Sequence, residues 1–171
     1  EAAPNPPREP AWKGQVRGIG GPQPTCGDSS TAEASLSLDA AQPYHDALGH
    51  ILRRVHAWLG GRPLRAVAHR VVHGGSQYFD PVRVNTAVLA DLQRLIPLAP
   101  LHQPFALDAI QVLLESDPQL PQVACFDTAF HHTLPKVEQM LPLPHAAWER
   151  GLRRYGFHGL SYEYLSVALP E

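Results

Sequence analysis

Three positions combine residue type and setting in a way that chemistry could use. They are Arg70 in Ala68-His69-Arg70-Val71-Val72-His73-Gly74-Gly75, Asp127 in Phe126-Asp127-Thr128-Ala129-Phe130-His131, and His158 in Arg153-Arg154-Tyr155-Gly156-Phe157-His158-Gly159. Each falls at the expected end of a strand or in a glycine turn. A cation, a carboxylate and an imidazole converging on one cleft bind and polarise an anionic substrate. Side chains alternate along a strand, so Arg70 and Val72 share one face while His69, Val71 and His73 take the other. A guanidinium beside a small apolar side chain suits a short carboxylic acid, its fork on the carboxylate and the methyl against Val72. The alternative from the same residues is a strand whose arginine pairs with a structural carboxylate.

Other chemistries fit less well. Ten histidines oblige a test for metal, and His69-x-x-x-His73 has a zinc-like spacing. On a strand, four residues span roughly 13 Å, too far for one ion. His131 and His132 are adjacent and diverge, and neither Cys-x-x-Cys nor His-Glu-x-x-His occurs. A Gly-x-Ser-x-Gly elbow, a Walker loop and a Gly-x-Gly-x-x-Gly fingerprint are also missing from the sequence. His45, His50 and His56 read as surface or structural residues of a helix.

The elements that must position these groups alternate. Residues 1–31 are rich in Pro and Gly, with a short strand expected near Gln15–Ile19 and Cys26 in a loop; Ser35–Leu38 alternates like a further strand. Leu48, Ile51, Leu52, Val55, Trp58 and Leu59 recur at three and four, which predicts an amphipathic helix over Pro43–Leu59 ended by Gly60-Gly61. A strand over Leu64–His73 follows, then a brief strand Val82–Val84. A helix capped by Asn85 or Thr86 is expected to stop at Pro97, and a stiff loop Ala99–Pro104 leads to a helix over Phe105–Ser116 with Ile110, Leu113 and Leu114 buried. Gln122–Phe126 reads as a buried strand delivering Asp127 at its C-terminal end, where α/β sheets commonly hold ligands. A turn with a short helix to Met140, a short amphipathic piece around Trp148, the glycine loop 151–159 and a helix over Tyr162–Leu169 capped by Ser161 complete an α/β pattern.

At 171 residues and 44% hydrophobic, the chain suffices for one buried domain or one lobe of a larger protein. A net charge of −2 without a basic stripe gives no reason to expect a nucleic-acid or membrane-surface partner. No apolar run is long enough to span a bilayer and no signal pattern opens the chain, so a soluble, intracellular protein is expected. Two cysteines, Cys26 and Cys125, do not make a disulfide framework. Glu1 opens the chain without Met, in the middle of a linker-like stretch.

Taken together and in order, four segments resemble acetate kinases: Ala68 to Gly75, Ala99-Pro100-Leu101-His102-Gln103-Pro104, Phe126 to His131, and Arg153 to Gly159. The likeness runs from Pro43 to the end and, loosely, over Trp12 to Gly21. It implies a ribonuclease-H-like lobe of a two-lobed kinase in the acetate and sugar kinase, actin and chaperone superfamily. It also implies transfer of the γ-phosphoryl of ATP to acetate with Mg²⁺, giving acetyl phosphate and ADP, by a cytoplasmic protein that is homodimeric at full length. Residue by residue, the resemblance makes Arg70 the ligand of the substrate carboxylate and phosphoryl group, Asp127 the acid/base residue and His158 the transition-state stabiliser. It puts Val72, Leu101 and Phe157 around the acetate methyl, and the strand-face argument had reached Arg70 and Val72 independently.

Elementary chemistry alters one of these roles. Acetate, with a pKa near ~4 to 5, is ionised at neutral pH and needs no general base. Phosphoryl transfer needs in-line positioning and charge neutralisation instead. Asp127 is therefore expected to orient Arg70 or metal-bound water. The family's usual Asn is Gln103 and its Thr-Ser-His is Leu160-Ser161-Tyr162. Its first strand, with an Asn and a serine run, and its second lobe, with ATP-binding glycine loops, a further arginine and a magnesium-binding glutamate, have no counterpart in this sequence. The expectation is an internal piece: a loop-rich start over 1–42 and the acetate-binding part of the N-terminal lobe over 43–171, inactive alone, with ATP and Mg²⁺ bound mainly by parts outside it. The rivals are a propionate or other short-chain acyl kinase and a non-catalytic remnant that binds a carboxylate or a partner protein.

Overall fold

A computed structural model describes residues 9–169; residues 1–8 and 170–171, including Glu1, Pro4, Pro6, Pro7 and Glu171, lie outside the described residues. The chain divides into two compact units, one up to Leu64 and one from Arg65. The expected boundary near residue 42 falls inside the first of them.

In the first unit β1 (Gly14–Arg17), β2 (Thr25–Asp28) and β3 (Thr31–Ser35) form an antiparallel sheet in the order β1-β2-β3. Two departures from expectation arise here. Cys26 lies in β2 and not in a loop, and the strand expected at Ser35–Leu38 instead ends at Ser35. The cause is a two-residue turn: Ser30 N–H donates to Asp28 Oδ1 at 2.7 Å and closes a hairpin, so pairing starts immediately after it. Helix α1 (Pro43–Leu59) has the expected bounds, and Gly60 ends it in the left-handed conformation, φ 58°. This helix belongs with the sheet because Arg54 Nε donates to the Asp28 carboxylate at 2.8 Å and Trp58 packs against Trp12, ring centroids 6.3 Å apart.

The second unit carries β4 (Val67–Val71), β5 (Val82–Arg83) and β6 (Gln122–Phe126) in the order β4-β6-β5, with β4 parallel and β5 antiparallel to the central β6. The register aligns Val71 with Phe126, both almost fully buried, and puts Arg70 beside Cys125 on the other face. Helices α2 (Thr86–Gln93) and α3 (Gln103–Ser116) bring Leu92 and Ile110 against the apolar face to complete the core. The Asn85 side chain caps α2 by accepting from Val88 N–H at 2.9 Å. Pro97 does not stop that helix. The helix ends at Gln93, and Pro97 sits within a following 3-10 turn, Ile96–Leu98. Helix α3 begins at Gln103, two residues earlier than expected, because Pro104 is compatible with a first helical turn. Leu107 is buried in consequence, while Leu114 is only partly so. After β6 come a 3-10 segment Ala129–Thr133, α4 (Lys136–Gln139), α5 (His145–Glu149) and α6 (Gly159–Ala168). Among the described residues no helix is long and apolar enough to cross a membrane.

Candidate functional site

Parallel pairing brings the C-terminal ends of β4 and β6 to one edge of the sheet. Asp127 N–H donates to Val71 O at 3.0 Å, extending the ladder one step past β6. The Asp127 carboxylate then accepts from Arg70 three times: from Nε at 3.2 Å to Oδ1 and 3.0 Å to Oδ2, and from Nη2 at 2.6 Å to Oδ2. The Asp127 side chain is 3% exposed and that of Arg70 61%. A buried carboxylate thus fixes a guanidinium whose remaining N–H groups face outward, and the hydrogen bonds to Asp127 hold its pKa above the ordinary arginine value. The pairing expected as the alternative to anion binding is present, in a form that leaves the cation available.

The third expected group reaches the same edge through backbone. Gly159 N–H donates to Asp127 O at 2.8 Å. A Cβ at Gly159 would lie 2.3 Å from that oxygen, so the close approach requires glycine. Because Gly159 is consumed in this way, α6 starts there, and His158 occupies the cap position in place of Ser161, with φ 57°. Among the described residues it is the one non-glycine with positive φ, and such conformations are sparsely populated. His131 Nε2 pairs with Phe157 O at 2.9 Å and steadies the preceding turn.

Sequence reasoning missed the buried support. A Cβ at Gly74 would fall 2.2 Å from Tyr78 O, so glycine there serves packing within the chain. Gly74 N–H donates to Thr128 Oγ1 at 3.1 Å. Gln103, fully buried, accepts from His73 N–H at 3.1 Å and donates through Nε2 to His73 O at 3.0 Å. The His73 ring is 1% exposed, accepts from Gly75 N–H on Nδ1 at 2.9 Å, and meets Tyr155 and Phe157 edge-on with centroids 4.4 and 5.8 Å away. The one available signal is a glutamine immediately before Pro104 at the start of a helix. Of the apolar residues expected around a methyl group, Val72 is partly buried, Phe157 is 39% exposed and Leu101, two residues before Gln103, is 77% exposed.

Burial lowers the pKa of His69 and of His73, with the Gln122 bond partly opposing this at His69. Both are therefore neutral in the folded protein near neutral pH. An unfolded chain takes up these protons near the ordinary histidine value, so stability is present above about pH 6.5 and is lost as pH falls from there through the lower folded-state values. The thermal midpoint is expected to drop between about pH 7 and pH 5.5. A His73→Asn variant, which keeps an acceptor for Gly75 but has no ring to protonate, is expected to show a shallower decline by calorimetry.

A divalent cation does not fit these residues. The Asp127 carboxylate is turned onto Arg70, and among the described residues no group of three or more His, Cys, Asp or Glu side chains is arranged to hold a metal ion.

The sequence model of the Acetokinase family matches residues 5–171. An acetate kinase of Rhodopseudomonas palustris is 48% identical over 134 residues, which is 78% of this chain and 34% of that protein. One from Nitrobacter hamburgensis is 45% identical over 163 residues, 92% of this chain and 40% of the relative. Among solved structures, a propionate kinase from Francisella tularensis superposes with a TM-score of 0.79 at 30% identity, over 92% of this chain and 41% of its own. A Porphyromonas gingivalis acetate kinase gives 0.70 at 27%, over 92% and 42%. The chain spans between about a third and two fifths of the length of these relatives.

Proposed function

Because the chain belongs to the Acetokinase family, we propose that it supplies the carboxylate-binding part of a cytoplasmic acetate kinase, which moves the γ-phosphoryl group of ATP onto acetate to give acetyl phosphate and ADP. The observation that carries this reading is the Arg70 guanidinium held on buried Asp127 with donors to spare. Arg70 binds the carboxylate and then the phosphoryl oxygens as charge spreads over them. One acetate oxygen attacks phosphorus in line while the bond to the β-phosphate oxygen breaks, and that oxygen leaves with the electron pair on ADP. His158, exposed on its turn, donates to the phosphoryl group in transit. Val72, Leu101 and Phe157 shelter the methyl. ATP is held mainly by parts of the whole protein outside this chain, and the full-length protein is a homodimer.

Asp127 acts by orientation. An Asp127→Asn variant of the whole enzyme keeps one acceptor but turns an amide N–H₂ toward the guanidinium, so kcat/KM for acetate is expected to fall about 10-fold or more. The acid limb of its pH–rate profile should keep its shape, since no proton is abstracted. A variant with nearly full turnover would make even the orienting role minor.

The direct test is acyl-phosphate formation from ATP and acetate by the full-length protein, trapped with hydroxylamine. Propionate is the second acceptor to try, given the fit to a propionate kinase. No product from acetate, propionate or butyrate would overturn the kinase reading in favour of a binding remnant.

A further inference from the structure

We propose that Gln103 and His73 form a buried positioning pair that holds Val72, Leu101 and Phe157 in register and so sets the acyl length the enzyme accepts. The proposal rests on the kinase reading above and extends it from anion binding to selectivity.

The three residues proposed to shelter the methyl come from three separate segments, and each is tied to this pair. Val72 directly precedes His73, whose N–H and C=O are both taken by the Gln103 side chain, at 3.1 and 3.0 Å. Leu101 lies two residues before Gln103, in the turn that leads into α3. Phe157 packs its ring on the His73 ring, which Gly75 N–H fixes through Nδ1. Gln103 is 0% exposed and spends its amide on a neighbouring main chain. A buried primary amide is costly unless its donors and acceptor are used, and here they hold a loop to a helix start. Neither side chain is assigned a contact with acetate, so both act through the walls.

Two changes separate the walls in different ways. Gln103→Leu removes both bonds between α3 and the His73 turn, freeing Leu101 relative to Val72. His73→Asn keeps an acceptor for Gly75 and removes the ring under Phe157. A pocket wall that gains about a methylene's width changes discrimination by roughly 10-fold or more. In the full-length enzyme, kcat/KM for acetate relative to propionate should therefore fall about 10-fold in each variant, with the change mainly in KM and a smaller one in kcat. A purely structural role would lower activity on both acids in parallel.

The experiment is the hydroxamate assay on wild type, Gln103→Leu and His73→Asn with acetate, propionate and butyrate. If Gln103→Leu fails to fold, Gln103→Asn, one methylene shorter with the same amide, carries the test. It should draw the Leu101 turn toward Val72 and move the ratio toward acetate. An active wild type with the acetate-to-propionate ratio unchanged in folded variants overturns this proposal and leaves the kinase reading standing. A wild type that makes no acyl phosphate from any of the three acids overturns both.

Discussion

Replacing Arg70 by alanine is expected to lower kcat/KM for acetate about a thousandfold in the full-length enzyme, because removing a preorganised charge donor from a transition state costs on that scale. A second loss should appear in stability. The Asp127 carboxylate is 3% exposed and all three of its side-chain bonds come from Arg70. Truncation leaves it without a partner, at a cost of about 1–3 kcal/mol. The low end is expected, because the guanidinium is 61% exposed and already screened. Arg70→Lys separates the two effects. It restores a cation near Asp127 but not the planar fork, so urea denaturation should recover more than the hydroxamate assay does. An Arg70→Ala enzyme that retained its rate would remove the anion site from this edge of the sheet.

The pairing of Arg70 with Asp127 shows which parts of this fold are legible in a sequence. Strand β6 is legible to the residue because a run of four apolar residues, Val123 to Phe126, preceded by Gln122, sits between Pro121 and a charged residue, and Asp127 at its end follows from that. Helix α1 was readable because its apolar positions repeat at three and four and Gly60 ends it. The β2–β3 hairpin escapes a sequence reading because its strands are short, β2 being half-buried and β3 exposed at every position, so no buried apolar face marks them. What makes them strands is Asp28 and Ser30 closing the turn and Arg54 reaching back from a helix 26 residues away. The buried support of the site was missed for a similar reason. The bonds of Gln103 to His73 join residues 30 apart in sequence. Nothing in local propensity marks a glutamine as a clamp until the fold brings the His73 turn to it. The glycines were recognised as special, but not why: Gly74 and Gly159 each make room for a carbonyl oxygen of the chain itself.

That last feature carries the second large effect. Gly159→Ala would put a Cβ 2.3 Å from Asp127 O and 2.9 Å from Phe130 Cβ, with backbone on the closer side. Something must move. The Asp127 end is tied to Val71 O through its N–H at 3.0 Å and to Arg70 through its carboxylate, while His158 stands exposed with a left-handed backbone. The turn is therefore the part that yields, breaking the 2.8 Å bond from Gly159 N–H to Asp127 O. A displacement of about 1 Å at a group that acts in the transition state lowers the rate about 100-fold. The expected result is a large loss in kcat with a modest change in KM for acetate, since Arg70 remains on Asp127. Overpacking should also destabilise the protein by about 1–3 kcal/mol. Gly156→Ala is the control. Its Cβ would meet the His131 ring at 2.3 Å, and a side chain can swing aside where a carbonyl cannot, at the expense of the 2.9 Å bond from the ring to Phe157 O but with the Gly159 N–H bond to Asp127 O kept. Its kcat should fall less than that of Gly159→Ala. If the two variants lost kcat equally, or if Gly159→Ala kept it, the contact with Asp127 would not be what holds His158 in position.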